Sequence, residues 1–229
     1  MHLMIDFETL SLKPNAVILQ FAAVAFNPDT QEIVDVFFAN VDTRVQPGRD
    51  VSADTVLWWL DQSDSARRTV LDAAAATSRV ESDEFDTLTE EQQIALVNSS
   101  AVPINHVAQA FIGWIDHLNN PENEVNKTHG GVTDVWSNGA VDHAWLDNML
   151  EYCGFKNPLP YYLQRDYRTL RALFPEVQAP AFVGTPHNAN DDALHQTKHL
   201  LEILSYISSL QHGETVIHNP QVEPTDRPE

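Results

Sequence analysis

The chain opens His2-Leu3-Met4-Ile5-Asp6-Phe7-Glu8, an apolar run that passes into the only Asp-x-Glu of the sequence. Such a run reads as a central strand that presents Asp6 at its C-terminal end. In extended backbone, residues two apart point the same way, so Asp6 and Glu8 can reach one site. A solvated strand end would carry the same residues, and the rest of the chain has to decide between the two.

Working outward, residues 16–26 form a long apolar run rich in β-formers, residues 27–30 supply turn chemistry and residues 32–40 form a second run. Together they read as a hairpin, so three strands come first. Over residues 51–76, Val56, Leu57, Leu60, Ala66, Val70 and Leu71 recur at helical spacing, with Ser52 and Ser63 placed as caps. Trp58 and Trp59 lie inside that span. Adjacent on a helix they point in different directions, which reads as core plus interface rather than as a pair stacking on bases. Residues 77–100 are acidic and poorly periodic, and read as a mobile or partly helical insertion or connecting loop.

Pro103 opens a helix with Val107, Phe111, Trp114, Ile115 and Leu118 on its apolar stripe. A polar loop over 119–131, a short strand over 132–136 and a helix over Val141–Tyr152, stopped by Gly154, follow. Pro158 and Pro160 interrupt the chain, residues 161–166 read as a strand and residues 167–174 as a short helix. The longest helix is expected over 189–210, and the proline-rich segment 211–229 as a disordered tail. Strands first and helices afterwards give an α/β class with a mixed sheet, and residues 1–210 suffice for one catalytic domain.

Composition sets limits on function. At 229 residues, 43% hydrophobic and 20% charged, the chain can bury a sizeable core. Cys153 is the only cysteine, which excludes an intramolecular disulfide and a cysteine-rich zinc site and suits a reducing, cytoplasmic setting. No basic leader and no long apolar span is visible, so no membrane partner is expected. A net charge of −20 argues against broad capture of a phosphate backbone. An enzyme that grips only the end of a strand can rely on bound cations and a local basic patch.

Two further stretches carry chemistry. Asn138-Gly139-Ala140-Val141-Asp142 turns from a strand into a helix whose first turn holds Asp142, as a cap or as a second carboxylate beside Asp6. His187-Asn188-Ala189-Asn190-Asp191-Asp192 opens the long C-terminal helix, with Asp192 about one turn in and His187 in the loop before it. His129 and Asp134 repeat the spacing, but they run from a Gly-Gly loop into a strand, the wrong context. Asp191 points elsewhere on the helix and reads as a cap or surface group.

Four acids and one histidine are the parts needed for phosphodiester hydrolysis with two divalent cations, Mg²⁺ or Mn²⁺, which clamp the attacking and leaving oxygens. Asp6, Glu8, Asp142 and Asp192 are then the metal ligands. An imidazole, His187, takes the proton of the attacking water. No Walker lysine loop, Gly-x-Ser-x-Gly elbow or His-Glu-x-x-His helix supports a competing chemistry.

These three motifs, Asp6-Phe7-Glu8-Thr9, Asn138-x-x-x-Asp142 and His187-x4-Asp192, resemble those of the DEDDh 3′→5′ exonucleases of the RNase H-like superfamily. Within that branch the chain is similar to the exonucleases of T-even-type phages, through Ile5-Asp6-Phe7-Glu8-Thr9, Trp58-Trp59 with Gln62-Ser63 and Ala66-Arg67, and Gln164-Arg165-Asp166 with Arg168-Thr169. The likeness spans roughly residues 3–205. It departs at Val141, where the superfamily usually has phenylalanine, and at Leu10-Ser11, where glycine commonly follows the first motif.

The resemblance implies an RNase H-like mixed sheet flanked by helices and release of 5′-mononucleotides from a free 3′ end. It also implies that Thr9 and Leu10 touch the terminal nucleotide. Single-stranded DNA is the first substrate because the phage-type relatives act on DNA, in which case a phage-encoded chain would work in the host cytoplasm. RNA is the alternative, since none of the three motifs reads a 2′-OH. A non-catalytic nucleic-acid-binding module would be expected to lack one of the five residues, and a hydrolase of free nucleotides would act on nucleoside phosphates. Arg165, Arg168 and Arg171 could bind phosphate or pair with neighbouring carboxylates.

Overall fold

In the computed structural model, which describes residues 1–74 and 82–212, a six-stranded sheet is flanked by helices on both faces. Its strands are β1 (His2–Thr9), β2 (Ile18–Asn27), β3 (Glu32–Val41), β4 (Ala101–Val102), β5 (Asp134–Ser137) and β6 (Gln164–Asp166), in the order β4-β3-β2-β1-β5-β6. β1, β2 and β3 are antiparallel neighbours, whereas β4, β5 and β6 add in parallel. The sheet is mixed, as expected. All ten residues of β2 are buried, which explains why its run is apolar but for Gln20 and the terminal Asn27.

The helices are α1 (Ala53–Asp61), α2 (Asp64–Ala74), α3 (Ser82–Phe85), α4 (Glu90–Ser99), α5 (Ile104–Asn119), α6 (Glu124–His129), α7 (Val141–Tyr152), α8 (Tyr167–Leu173) and α9 (Ala189–His212). Strand alternation decides which face each β1 side chain meets. Leu3, Ile5 and Phe7 join Phe21, Phe37, Phe111, Trp114 and Met149 in the larger core, beneath α5 and α7. Met4 belongs to the second core with Ala189, Ala193, Leu200 and Leu201 of α9. The same alternation puts Asp6 and Glu8 on the α9 side.

Several elements differ from the sequence expectation for identifiable reasons. The helical span that begins at residue 51 is two helices as far as residue 74, because Gln62 adopts extended backbone and Ser63 caps the second, its Oγ accepting the Ala66 N–H at 3.2 Å; residues 75–76 lie outside the described residues. Arg67 closes the break by donating to the Leu60 and Gln62 carbonyls. Within 77–100 the described part is helical in α3 and α4, the partly helical form of the expectation, and α4 is docked, with a capping box between Thr89 and Gln92 and with Gln93 and Val97 buried. Residues 77–81 lie outside the described residues. β4 is two residues long, too short for any periodicity, and α6 occupies part of the expected polar loop.

The strand expected over 161–166 begins only at Gln164, after a 3₁₀ turn over Tyr161–Leu163. Gln211 and His212 extend α9, while the rest of the expected tail, 213–229, lies outside the described residues. No helix among the described residues is long and apolar enough to cross a membrane.

Candidate active site

The site forms where β1 outlasts β5. Their pairing ends at Ile5 and Ser137, and past that point the Phe7 N–H donates to Asp142 Oδ1 at 3.2 Å. The end of one strand thus seats the first turn of α7 against the next. Asp6 and Asp142 are both buried, and Glu8 and Asp192 are half-buried. From the other face, α9 brings Gln196, whose Nε2 donates to Asp6 Oδ1 at 2.8 Å. Gln20, paired with Glu8 across the β1–β2 ladder, accepts the Ala189 N–H at 3.1 Å and so fixes the start of α9 to the sheet.

His187 sits in the left-handed region, φ +63°, a conformation that costs a non-glycine residue energy unless its surroundings hold it. They do so here. Its N–H donates to Asp192 Oδ2 at 2.9 Å and its carbonyl accepts from Thr69 Oγ1 of α2 at 2.7 Å. Its ring lies edge-on to Trp58, with centroids 4.8 Å apart. Asp191 does not enter the cavity. Its Oδ2 accepts the Thr185 N–H at 2.8 Å, and it packs against Gly184, whose φ of +116° and missing Cβ leave room for the carboxylate.

One ligand atom from each of Glu8, His187 and Asp192 lies within 4.8 Å of the others. With Asp6 and Asp142, all five sequence-predicted residues therefore meet at one place. Their electrostatics are those of crowded acids. Burial, then the charges of Asp142, Glu8 and Asp192, push Asp6 well above the usual carboxylate range, against the Gln196 hydrogen bond. Burial and the charges of Asp192 and Asp142 raise Glu8 likewise, and Glu8 shares a hydrogen bond with Asp192. Burial lifts Asp142 to about 7, although the Phe7 N–H and Arg168 oppose it. Asp192 is also raised by burial.

This donor set fits hard divalent cations. Carboxylate oxygens dominate, and the cluster lacks the positive charge that would keep all four ionised. Two buried acceptors, Gln196 Oε1 on the residue that bonds Asp6 and Asn138 Oδ1 in the turn before Asp142, have no partner among the described residues.

The other expected residues divide. The Thr9 hydroxyl is buried and donates to the Ser11 carbonyl at 2.8 Å, and Leu10 is half-buried against the Trp59 cluster. Trp59 is core, its Nε1 donating to the Thr9 carbonyl at 3.0 Å, but Trp58 is 43% exposed and touches His187. His129 and Asp134 lie at the opposite end of β5, bonded to Asn27 and to His2 respectively. Gln196, Gln20 and Thr69 were not singled out by sequence. Gln196 had a legible signal, four residues after Asp192 and hence on the same helix face.

Comparison with known proteins agrees with this geometry. The sequence model of the 3'-5' exoribonuclease Rv2179c-like domain matches residues 1–204. Among solved structures, the nuclease domain of 3'hExo, a DEDDh family member bound to rAMP, superposes with a TM-score of 0.50 at 16% identity, covering 96% of each chain. A 3'-exonuclease solved in its recognition of the 3'-end of a histone mRNA stem-loop gives 0.51 at 16% identity, over 93% of this chain and 82% of that one. At such identity these two establish the fold, the RNase H-like mixed sheet of DEDDh exonucleases. No curated protein matches the chain in sequence. The family match covers nearly the whole described fold, and the chain accordingly belongs to the 3'-5' exoribonuclease Rv2179c-like domain family, as a 3′→5′ exonuclease acting on nucleic acid.

Proposed function

We propose that the chain is a metal-dependent exoribonuclease that removes 5′-mononucleotides one at a time from the 3′ end of single-stranded RNA. The meeting of Asp6, Glu8, Asp142, Asp192 and His187 in one cluster, with Asp6 and Asp142 buried and the others half-buried, carries this reading. Asp6, Glu8, Asp142 and Asp192 would hold two divalent cations, Mg²⁺ or Mn²⁺, which would supply neutralising charge for phosphodiester hydrolysis. His187 takes the proton of the attacking water, its ring steadied by Trp58 and its backbone by Thr69 and Asp192. Gln196 orients the Asp6 carboxylate. Contact with the terminal nucleotide falls to Leu10 and to Thr9, whose hydroxyl donates to the Ser11 carbonyl and keeps its acceptor lone pairs.

RNA takes precedence over the DNA expected from sequence because the matching family is described as exoribonuclease-like, whereas the phage-type likeness rests on short stretches. A time course on matched 5′-labelled RNA and DNA strands, with Mg²⁺, with Mn²⁺ and with EDTA, tests both points. The expected result is a ladder that shortens from the 3′ end, faster on RNA and only with metal. Faster loss of DNA would restore the deoxyribonuclease reading, and no cleavage with any divalent ion would sink the function.

A further inference from the structure

The three arginines over 165–171 look alike in sequence and part company in the structure. Arg165 pairs with Asp134 at 2.8 Å, at the end of β5 remote from the carboxylates, and donates to the Tyr162 and Gln164 carbonyls. Arg171 lies over the Tyr167 ring, 5.5 Å from its centroid. Arg168 turns toward the site instead. Its Nη2 donates to the Asn138 carbonyl at 2.7 Å, and the guanidinium lies against Gly139, where a Cβ would meet its Cζ and Nη2 at 3.4 Å. Asp142, three residues beyond Gly139, feels its charge.

We propose that Arg168 is the seat for the phosphodiester immediately 5′ of the scissile one. The inference rests on the exonuclease reading and adds to it the group that holds the rest of the strand. Distance separates the two phosphates. Register places Ile5 beside Ser137 and Ser137 beside Asp166, so Arg168 starts two strand spacings, about 10 Å, from β1. The guanidinium is held at Asn138 and Gly139, on the turn between β5 and α7 rather than on β1, which suits it to the neighbouring phosphate and not to the one gripped by Asp6 and Glu8.

Chemistry supplies the second reason. The Asn138 carbonyl occupies one of the five guanidinium donors and fixes the plane of the fork, and Arg168 is exposed, as a group meeting a moving polymer must be. Charge supplies the third. With a net charge of −20 the chain cannot gather a phosphate backbone over its surface, so a cation anchored beside the carboxylates has a disproportionate effect.

The test compares two substrates that differ in this phosphate. A short oligoribonucleotide has a phosphodiester 5′ of the scissile bond, and a nucleoside 5′-(p-nitrophenyl phosphate) has none. Arg168→Ala should lower kcat/KM on the oligonucleotide by roughly 10- to 100-fold, mainly through KM, and lower hydrolysis of the ester by much less. Arg168→Lys should recover part of the loss. Replacing the penultimate phosphate by a neutral methylphosphonate should slow the wild type and add little to the loss in Arg168→Ala.

Equal losses on both substrates would mean that Arg168 only braces the turn before Asp142, and would overturn the proposal. Unchanged kinetics on the oligonucleotide would overturn it as well. A wild type that cleaves neither substrate would instead remove the exonuclease reading, and the seat with it.

Discussion

Asp142 serves two neighbours at once, the Phe7 N–H through a hydrogen bond and Asp6 through its charge. Burial raises it from 3.8 to about 7, so between these values the folded protein holds a proton that the unfolded chain has released. Its contribution to stability is present below about pH 4 and is lost as pH rises through 7. Without metal, Asp142→Asn should be at least as stable as wild type at pH 8, and the difference should shrink toward pH 5, in thermal melts at matched pH. A wild type more stable than the variant at pH 8 in EDTA would contradict this.

Asp6 and His187 should separate under the same scrutiny. Asp6→Ala should lose both cleavage and calorimetric Mn²⁺ binding, whereas His187→Ala should keep near-normal metal affinity while single-turnover kcat falls by roughly 10²–10⁴. Loss of metal with a normal rate in saturating Mn²⁺ would make His187 a ligand and not a base. At this scale the sequence was informative wherever a motif fixed the spacing, as with Asp6-x-Glu8. It was silent where partners lie far apart along the chain, as with Thr69 and His187, 118 residues from each other. The exposure of Trp58 and the burial of Trp59 depend on how α1 sits against Leu19, which no local pattern records.

Between elements, the link from α2 to the loop ahead of α9 sets the position of the imidazole. Thr69→Val removes the donor to the His187 carbonyl with little change of volume, and kcat should drop by about tenfold while metal binding holds. Thr69→Ser, which retains the hydroxyl, should stay near wild type. Equal rates for Val and Ser would show that the left-handed turn is held without Thr69. Long helices and the hairpin were legible because their periods repeat many times, and Ser52 and Ser63 marked both helix starts. The Thr89-x-x-Gln92 box was also in plain view, within a segment whose acidity suggested a loop. Strand order was not legible, since β1 pairs with β5 through residues more than 130 positions away.

For the molecule as a whole, a net charge of −20 leaves little surface to hold nucleic acid. Single strands lose affinity with salt at a slope of about 0.7 per phosphate contact, so KM should change with NaCl at a slope near that of one or two contacts. A slope several times steeper would reveal an extended basic track. The separation between Asp6 and Gln196 also matters for how the protein comes into being. They bond across 190 residues, and Asp192 and His187 belong to the same late segment. During synthesis β1 leaves the ribosome first with Asp6 and Glu8, Asp142 follows with α7, and Asp192 arrives only with α9, the last described element. Competence on the proposed mechanism is thus withheld until α9 has been made, because no fragment ending before it contains Asp192.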